Sequence, residues 1–140
     1  MSLRAVPTPE AANTATDLAA ADGTVLYGLA KCDTCRKARN WLDRFAVAYR
    51  FIDYREHPLP PATLKDWSHQ LGGWDALINR GSTTWRTLPP TRKAPASAPE
   101  WLLLLREYPQ LVRRPVVVGA DGRVSVGFSD AAFKKRFTGG

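Results

Sequence analysis

Histidine and cysteine are scarce in this chain, two of each, and that scarcity removes most metal chemistry from consideration. His57 and His69 stand at spacings unlike a zinc finger or ribbon, so no metal and no bound cofactor are expected. No apolar run approaches the roughly 18 residues of a membrane span; Trp101 to Leu105 is too short, and no membrane association is expected. The N-terminus has neither the charged start nor the apolar stretch of a secretory signal. A cytoplasmic, thiol-reducing setting is the expectation. No internal repeat is visible. Acidic residues are outnumbered, 13 Asp and Glu against 20 Lys and Arg, for a net charge of +7. That balance favours anionic partners: oxyanions, glutathione, acidic protein surfaces or nucleic acid. The cations are spread over several segments rather than interleaved with aromatics along one stripe, which disfavours nucleic acid.

What remains is enough for one domain with a real core. Residues 1–22, rich in Ala, Thr and Pro, read as a disordered lead, and 23–140 as a single domain. Residues 24–29 read as a buried strand. From Thr34 the apolar positions Ala38, Trp41, Leu42 and Phe45 recur at i, i+3, i+4 and i+7, the stripe of a helix facing a core. Tyr49 to Asp53 reads as a second strand, so strand, helix and strand make a parallel βαβ unit.

A helical insertion follows, over about 60–110. Pro61 suits a first helical turn, Leu64, Trp67 and Leu71 mark one face, and Gly72 closes the helix. Trp74 to Asn79 reads as another turn or two of helix, and Asn79 to Arg86 as a polar loop. The stretch from Leu88 to Pro99, with Pro89, Pro90 and Pro95 between, reads as another loop. Ser97-Ala98-Pro99-Glu100 fits a capping box opening a Leu-rich helix that Pro109 stops. Pro115 to Ala120 and Arg123 to Phe128 flank Asp121-Gly122, the favoured pair for a type I′ hairpin. Ser129 caps a last helix that ends in Lys134, Lys135 and Arg136, the favourable end for cations. Trp41, Trp67 and Trp101 belong to apolar faces; Trp85, in the polar loop, has no evident reason.

Both cysteines lie in Lys31-Cys32-Asp33-Thr34-Cys35-Arg36-Lys37. A Cys-x-x-Cys after a strand and at the start of a helix reads as a thioredoxin-like redox motif. Cys32 falls where free backbone N–H groups and the positive dipole end stabilise a thiolate, so it is the expected nucleophile with a depressed pKa. Cys35, one turn in, is a resolving thiol or a buried small residue. Lys31, Arg36 and Lys37 add positive charge at an end where cations oppose the dipole; a thiolate or a bound anion would account for them. Arg80, in Asn79-Arg80-Gly81-Ser82, is either an anion clamp or a solvated loop arginine. Arg114, before Pro115, is either a pocket residue or a surface arginine.

The order of Cys32-x-x-Cys35, Phe51-Ile52-Asp53-Tyr54-Arg55, Asn79-Arg80-Gly81 with Thr83-Thr84-Trp85-Arg86, Arg114-Pro115 and Gly127-Phe128-Ser129-Asp130 resembles the YffB branch of the ArsC/Spx family over roughly residues 24–137. The resemblance implies an α/β, thioredoxin-like fold: a βαβ unit plus a ββα unit, with the helical insertion between the halves. It implies a thiol-dependent, glutathione-linked reductase related to arsenate reductase. Cys32 would attack, Arg80 and Arg114 would hold an anionic substrate or glutathione, and a cis Pro115 would place its backbone beside the thiol; Arg36, from its place at the helix end, is a further expected anion- or glutathione-binding residue. Glutathione or glutaredoxin and a small anionic or disulfide substrate are the implied partners. Two departures from the arsenate reductases of the family are visible. Their third arginine falls at Gly127, and the His they carry four residues before the nucleophile is Gly28. The alternative implied by the Spx regulators is a non-enzymatic protein that binds the RNA polymerase α subunit, with the Cys32–Cys35 pair as a redox switch.

Overall fold

In the computed structural model, which describes residues 23–138, four short strands form one mixed sheet. They are β1 (Val25–Gly28), β2 (Arg50–Asp53), β3 (Val116–Val118) and β4 (Val124–Val126), in the spatial order β2-β1-β3-β4. The helices are α1 (Asp33–Arg44), α2 (Pro61–Gln70), α3 (Trp74–Leu77), α4 (Thr83–Thr87), α5 (Ala98–Glu107) and α6 (Asp130–Thr138). β1 pairs parallel with β2, joined through α1; β3 pairs antiparallel with both β1 and β4. This is the expected βαβ plus ββα arrangement, with α2 to α5 between its halves. The expected disordered lead over 1–22 lies outside the described residues.

Strand side chains alternate between the two faces of a sheet, and each face here has its own core. Leu26, Phe51 and Val117, in one cross-strand row, face Ala38, Trp41 and Leu42 of α1 and Phe133 of α6. Val116 and the partly buried Tyr27 and Val118 face Leu64 and Trp67 of α2 and Trp101, Leu104 and Leu105 of α5. Each fully buried side chain of this kind contributes about 1.5–3 kcal/mol. Trp41 Nε1 donates to Asp130 Oδ1 at 2.7 Å and fastens α1 to α6.

The helix boundaries follow their caps. Pro61 opens α2, and Gly72, at φ +91°, leaves it in the left-handed region. Ser97 Oγ accepts from Glu100 N–H, while the Glu100 carboxylate reaches back to the N–H of Ala96. Ser129 Oγ caps α6 through Ala132 N–H at 3.0 Å.

Four local expectations are corrected. Phe45 ends the apolar stripe of α1 and packs on Trp41 one turn earlier, but as the C-cap residue it lies at the edge of the core and is 47% exposed. The hairpin turn is not type I′, which needs positive φ at both central residues. Gly122 has φ +84° but Asp121 does not, and Gly122 N–H closes the turn on Gly119 O instead. Asn79–Arg86 is not all loop. Ser82 Oγ accepts from Trp85 N–H and starts α4, which buries Trp85 in parallel against Trp101. The proline-rich stretch contains a turn of 3-10 helix, Pro90–Lys93.

Candidate active site

Cys32 is the N-cap residue of α1, half-buried, with extended backbone (φ −87°, ψ 128°). No side chain closes this cap, so the first-turn N–H groups remain available at the positive end of the helix. Arg114, half-buried at the entry to β3, donates Nε–H to Cys32 Sγ at 3.2 Å and Nη1–H to Gln110 O at 2.8 Å. Partial burial pushes the Cys32 thiol up. The nearby Cys35 N–H, the Arg114 side chain and the Cys35 thiol outweigh it, and the pKa lies below the ordinary cysteine value. The Arg114–Pro115 peptide is cis, and Pro115 is buried, its carbonyl accepting from Gly127 N–H at 2.8 Å.

Cys35 is 1% exposed. Burial, reinforced by the charge of Cys32, pushes its thiol up to about 12. A Cβ built on Gly28 would stand 2.5 Å from Cys35 Sγ. The bare backbone of Gly28 is therefore the space that Cys35 occupies, which gives a steric reason for the absence of a side chain four residues before Cys32. Gly127 lies at φ +85°, a conformation an arginine would adopt only with strain.

The remaining expected cations are placed elsewhere. Arg36 and Lys37 both pair with Asp33 in the first turn of α1. Part of their charge at that end is thus balanced within the first turn of the helix. The Arg80 guanidinium pairs with Asp75 and lies 5.2 Å above the Trp85 ring, with its side chain 53% exposed. Among the described residues, Arg114 is the arginine that contacts Cys32 directly. The Arg80 loop is nevertheless tied to the approach to β3, since Asn79 N–H donates to Leu111 O and Arg113 N–H to Leu77 O, both at 2.8 Å.

Two buried residues, Tyr54 and Asp53, stand in the Phe51-Ile52-Asp53-Tyr54-Arg55 motif without a role assigned from sequence. Tyr54, 1% exposed, donates its hydroxyl to Val112 O at 2.8 Å and adjoins Arg114. Burial raises its pKa, with Arg114 opposing. Asp53, 8% exposed at the end of β2, accepts from Ala30 N–H at 2.9 Å and Arg55 N–H at 2.8 Å. One carboxylate thereby holds both the loop that delivers Cys32 and the turn that delivers Tyr54. The available signal was the acid itself, since a carboxylate at the end of a buried strand needs hydrogen-bond partners.

The family model that matches the chain is that of the ArsC family, over residues 27–136. The structure is similar to that of a YFFB protein (TM-score 0.70, 39% identity, covering 79% of this chain and 95% of the other). It is also similar to an arsenate reductase (ArsC) related protein from Brucella melitensis (TM-score 0.66, 35% identity, 81% and 93% covered). Among curated relatives, the global transcriptional regulator Spx of Streptococcus pneumoniae is 32% identical over 103 residues, 71% of this chain and 74% of the regulator.

Proposed function

The chain belongs to the ArsC family, and from that premise we propose that it is a thiol-dependent reductase with Cys32 as nucleophile and glutathione as co-substrate. The observation that carries this reading is the 3.2 Å contact of Arg114 Nε with Cys32 Sγ at an uncapped helix N-terminus. A guanidinium there favours the thiolate and leaves further N–H groups for an anionic substrate or the carboxylate of glutathione. The Cys32 thiolate attacks the glutathionyl sulfur of a mixed disulfide. That S–S bond breaks, and the substrate leaves as a thiolate that takes a proton from water. A glutathione thiolate, free or presented by glutaredoxin, then attacks the Cys32–glutathione bond. Oxidised glutathione is released and the Cys32 thiolate is restored. The electron pair passes from glutathione to the substrate sulfur.

Arg80 joins by exchanging Asp75 for the substrate anion, which costs little because an exposed ion pair is worth about 1 kcal/mol at most. Arg36 contributes to the positive field at the helix end while remaining on Asp33. A small disulfide is favoured over arsenate because Gly127 leaves the third arginine position empty of a side chain. The test is turnover with glutathione, comparing a hydroxyethyl disulfide with arsenate. Disulfide turnover is expected for the wild type and none for Cys32→Ser, while Arg80→Ala raises KM several-fold with kcat little changed. No turnover with either substrate overturns the reading.

The Spx relatives favour a second reading, in which an oxidised Cys32–Cys35 pair promotes binding to the RNA polymerase α subunit. Capture of that subunit by the oxidised but not the reduced protein would support it, and redox-independent behaviour would end it.

A further inference from the structure

Tyr54 also lines a cavity of about 690 Å³ between the β2–α2 connection and helices α2 and α5. Its volume falls within the range of small-molecule sites. The wall is made chiefly of leucine, proline and valine, with Leu64, Leu102 and Leu105 prominent. Leu103, at 54% one of the two most exposed large apolar side chains described, stands among them. The charged residues lining it are Arg55 and Arg106, and no carboxylate lines it.

These two arginines differ from others on the surface. Arg36, Arg80 and Arg92 each sit on a carboxylate, whereas neither Arg55 nor Arg106 has a side-chain hydrogen-bond or ion-pair partner among the described residues. An apolar recess flanked by two unanswered guanidiniums suits a ligand with one greasy body and one negative head. A neutral ligand would leave both charges to water, and a cation would be repelled.

We propose that this cavity binds a small amphipathic carboxylate, its chain or ring against Leu64, Leu102 and Leu105 and its head held by Arg55 and Arg106. Tyr54 is shared between this cavity and the surroundings of Arg114, so the ligand would sit one side chain from the thiol site.

The test is titration of the reduced full-length protein with decanoate, decanol and acetate, followed by leucine methyl NMR shifts. Decanoate is expected to saturate with a Kd below about 1 mM, moving the methyls of Leu64, Leu102 and Leu105. Arg55→Ala/Arg106→Ala, two exposed positions, should weaken decanoate about tenfold or more while leaving decanol within about twofold. Acetate should move none of these methyls. Equal decanoate affinity in the double variant, or shifts confined to other leucines, overturns the proposal. So does the absence of saturation. The readout involves no turnover, so it stands or falls apart from the reductase reading.

Discussion

Cys32 and Cys35 are one helical turn apart, yet the mouth and the floor of the site treat a thiol in opposite ways. At the mouth, the helix end is uncapped and Arg114 reaches the sulfur, so the charged form is favoured. At the floor, Cys35 is sealed beneath Gly28 and next to another sulfur, so the neutral form is favoured. The lesson is that a Cys-x-x-Cys is not one chemical object. Position relative to the cap and to a single arginine divides it into a thiol that favours its charged form and one that favours its neutral form.

The sharpest way to break this contrast is alkylation. Iodoacetamide should modify Cys32 well below pH 8.5 and at least on the order of a hundredfold faster than Cys35 in the folded protein. Peptide mapping after timed labelling reads both rates. Arg114→Ala should slow Cys32 at neutral pH by roughly fivefold, with the rates converging in alkali; labelling of both cysteines at equal rates would erase the distinction.

A smaller effect tests the floor. Gly28→Ala should destabilise the protein by about 1–3 kcal/mol through overpacking against Cys35, measured by urea denaturation. Adding Cys35→Ala should return most of that loss, because the clash is with its Sγ. Additive losses in the double variant would mean that the contact is not what Gly28 provides.

The smallest effect is a slope. The folded pKa of Cys35, about 12, is raised above an unfolded value near 8.5. Above that pH the unfolded chain sheds a proton that the folded protein keeps. Stability from this group is therefore whole below pH 8.5 and declines from there towards 12, by at most about 1.4 kcal/mol per pH unit. Cys32, with a lowered pKa, has the opposite sign: its contribution is present above the unfolded value and lost as pH falls through the folded one. Cys35→Ala should flatten the decline between pH 8.5 and 10, whereas Cys32→Ala should leave that window nearly unchanged and remove a rise in stability as pH climbs towards 8.5.

Most of the scaffold was legible because its signals are local. The Ala38, Trp41 and Leu42 spacing, the Ser97 and Ser129 caps, and Gly72 after α2 each act within a few residues. Helix α4 was not legible from periodicity, since Thr83–Thr87 is too short to display a period and threonine is a poor helix former. Ser82, three residues before the Trp85 N–H that it accepts from, was the readable clue. The Arg114–Cys32 contact was legible only through resemblance, because it joins segments far apart in the chain. The choice of Arg80 for Asp75, and of Arg36 and Lys37 for Asp33, depends on which carboxylate is nearest in space. Asp33 was in plain view, three and four residues before Arg36 and Lys37, and that spacing made the pairing readable.

The Arg114–Cys32 contact spans 82 residues, and that separation is also an interval in time. At a synthesis rate of roughly 5–20 residues per second, a growing chain presents its thiols for several seconds before its arginine exists. β1 must likewise wait for its β3 neighbour. The protein is thus born with two ordinary cysteines and acquires its unequal pair only as the far half of the sheet arrives.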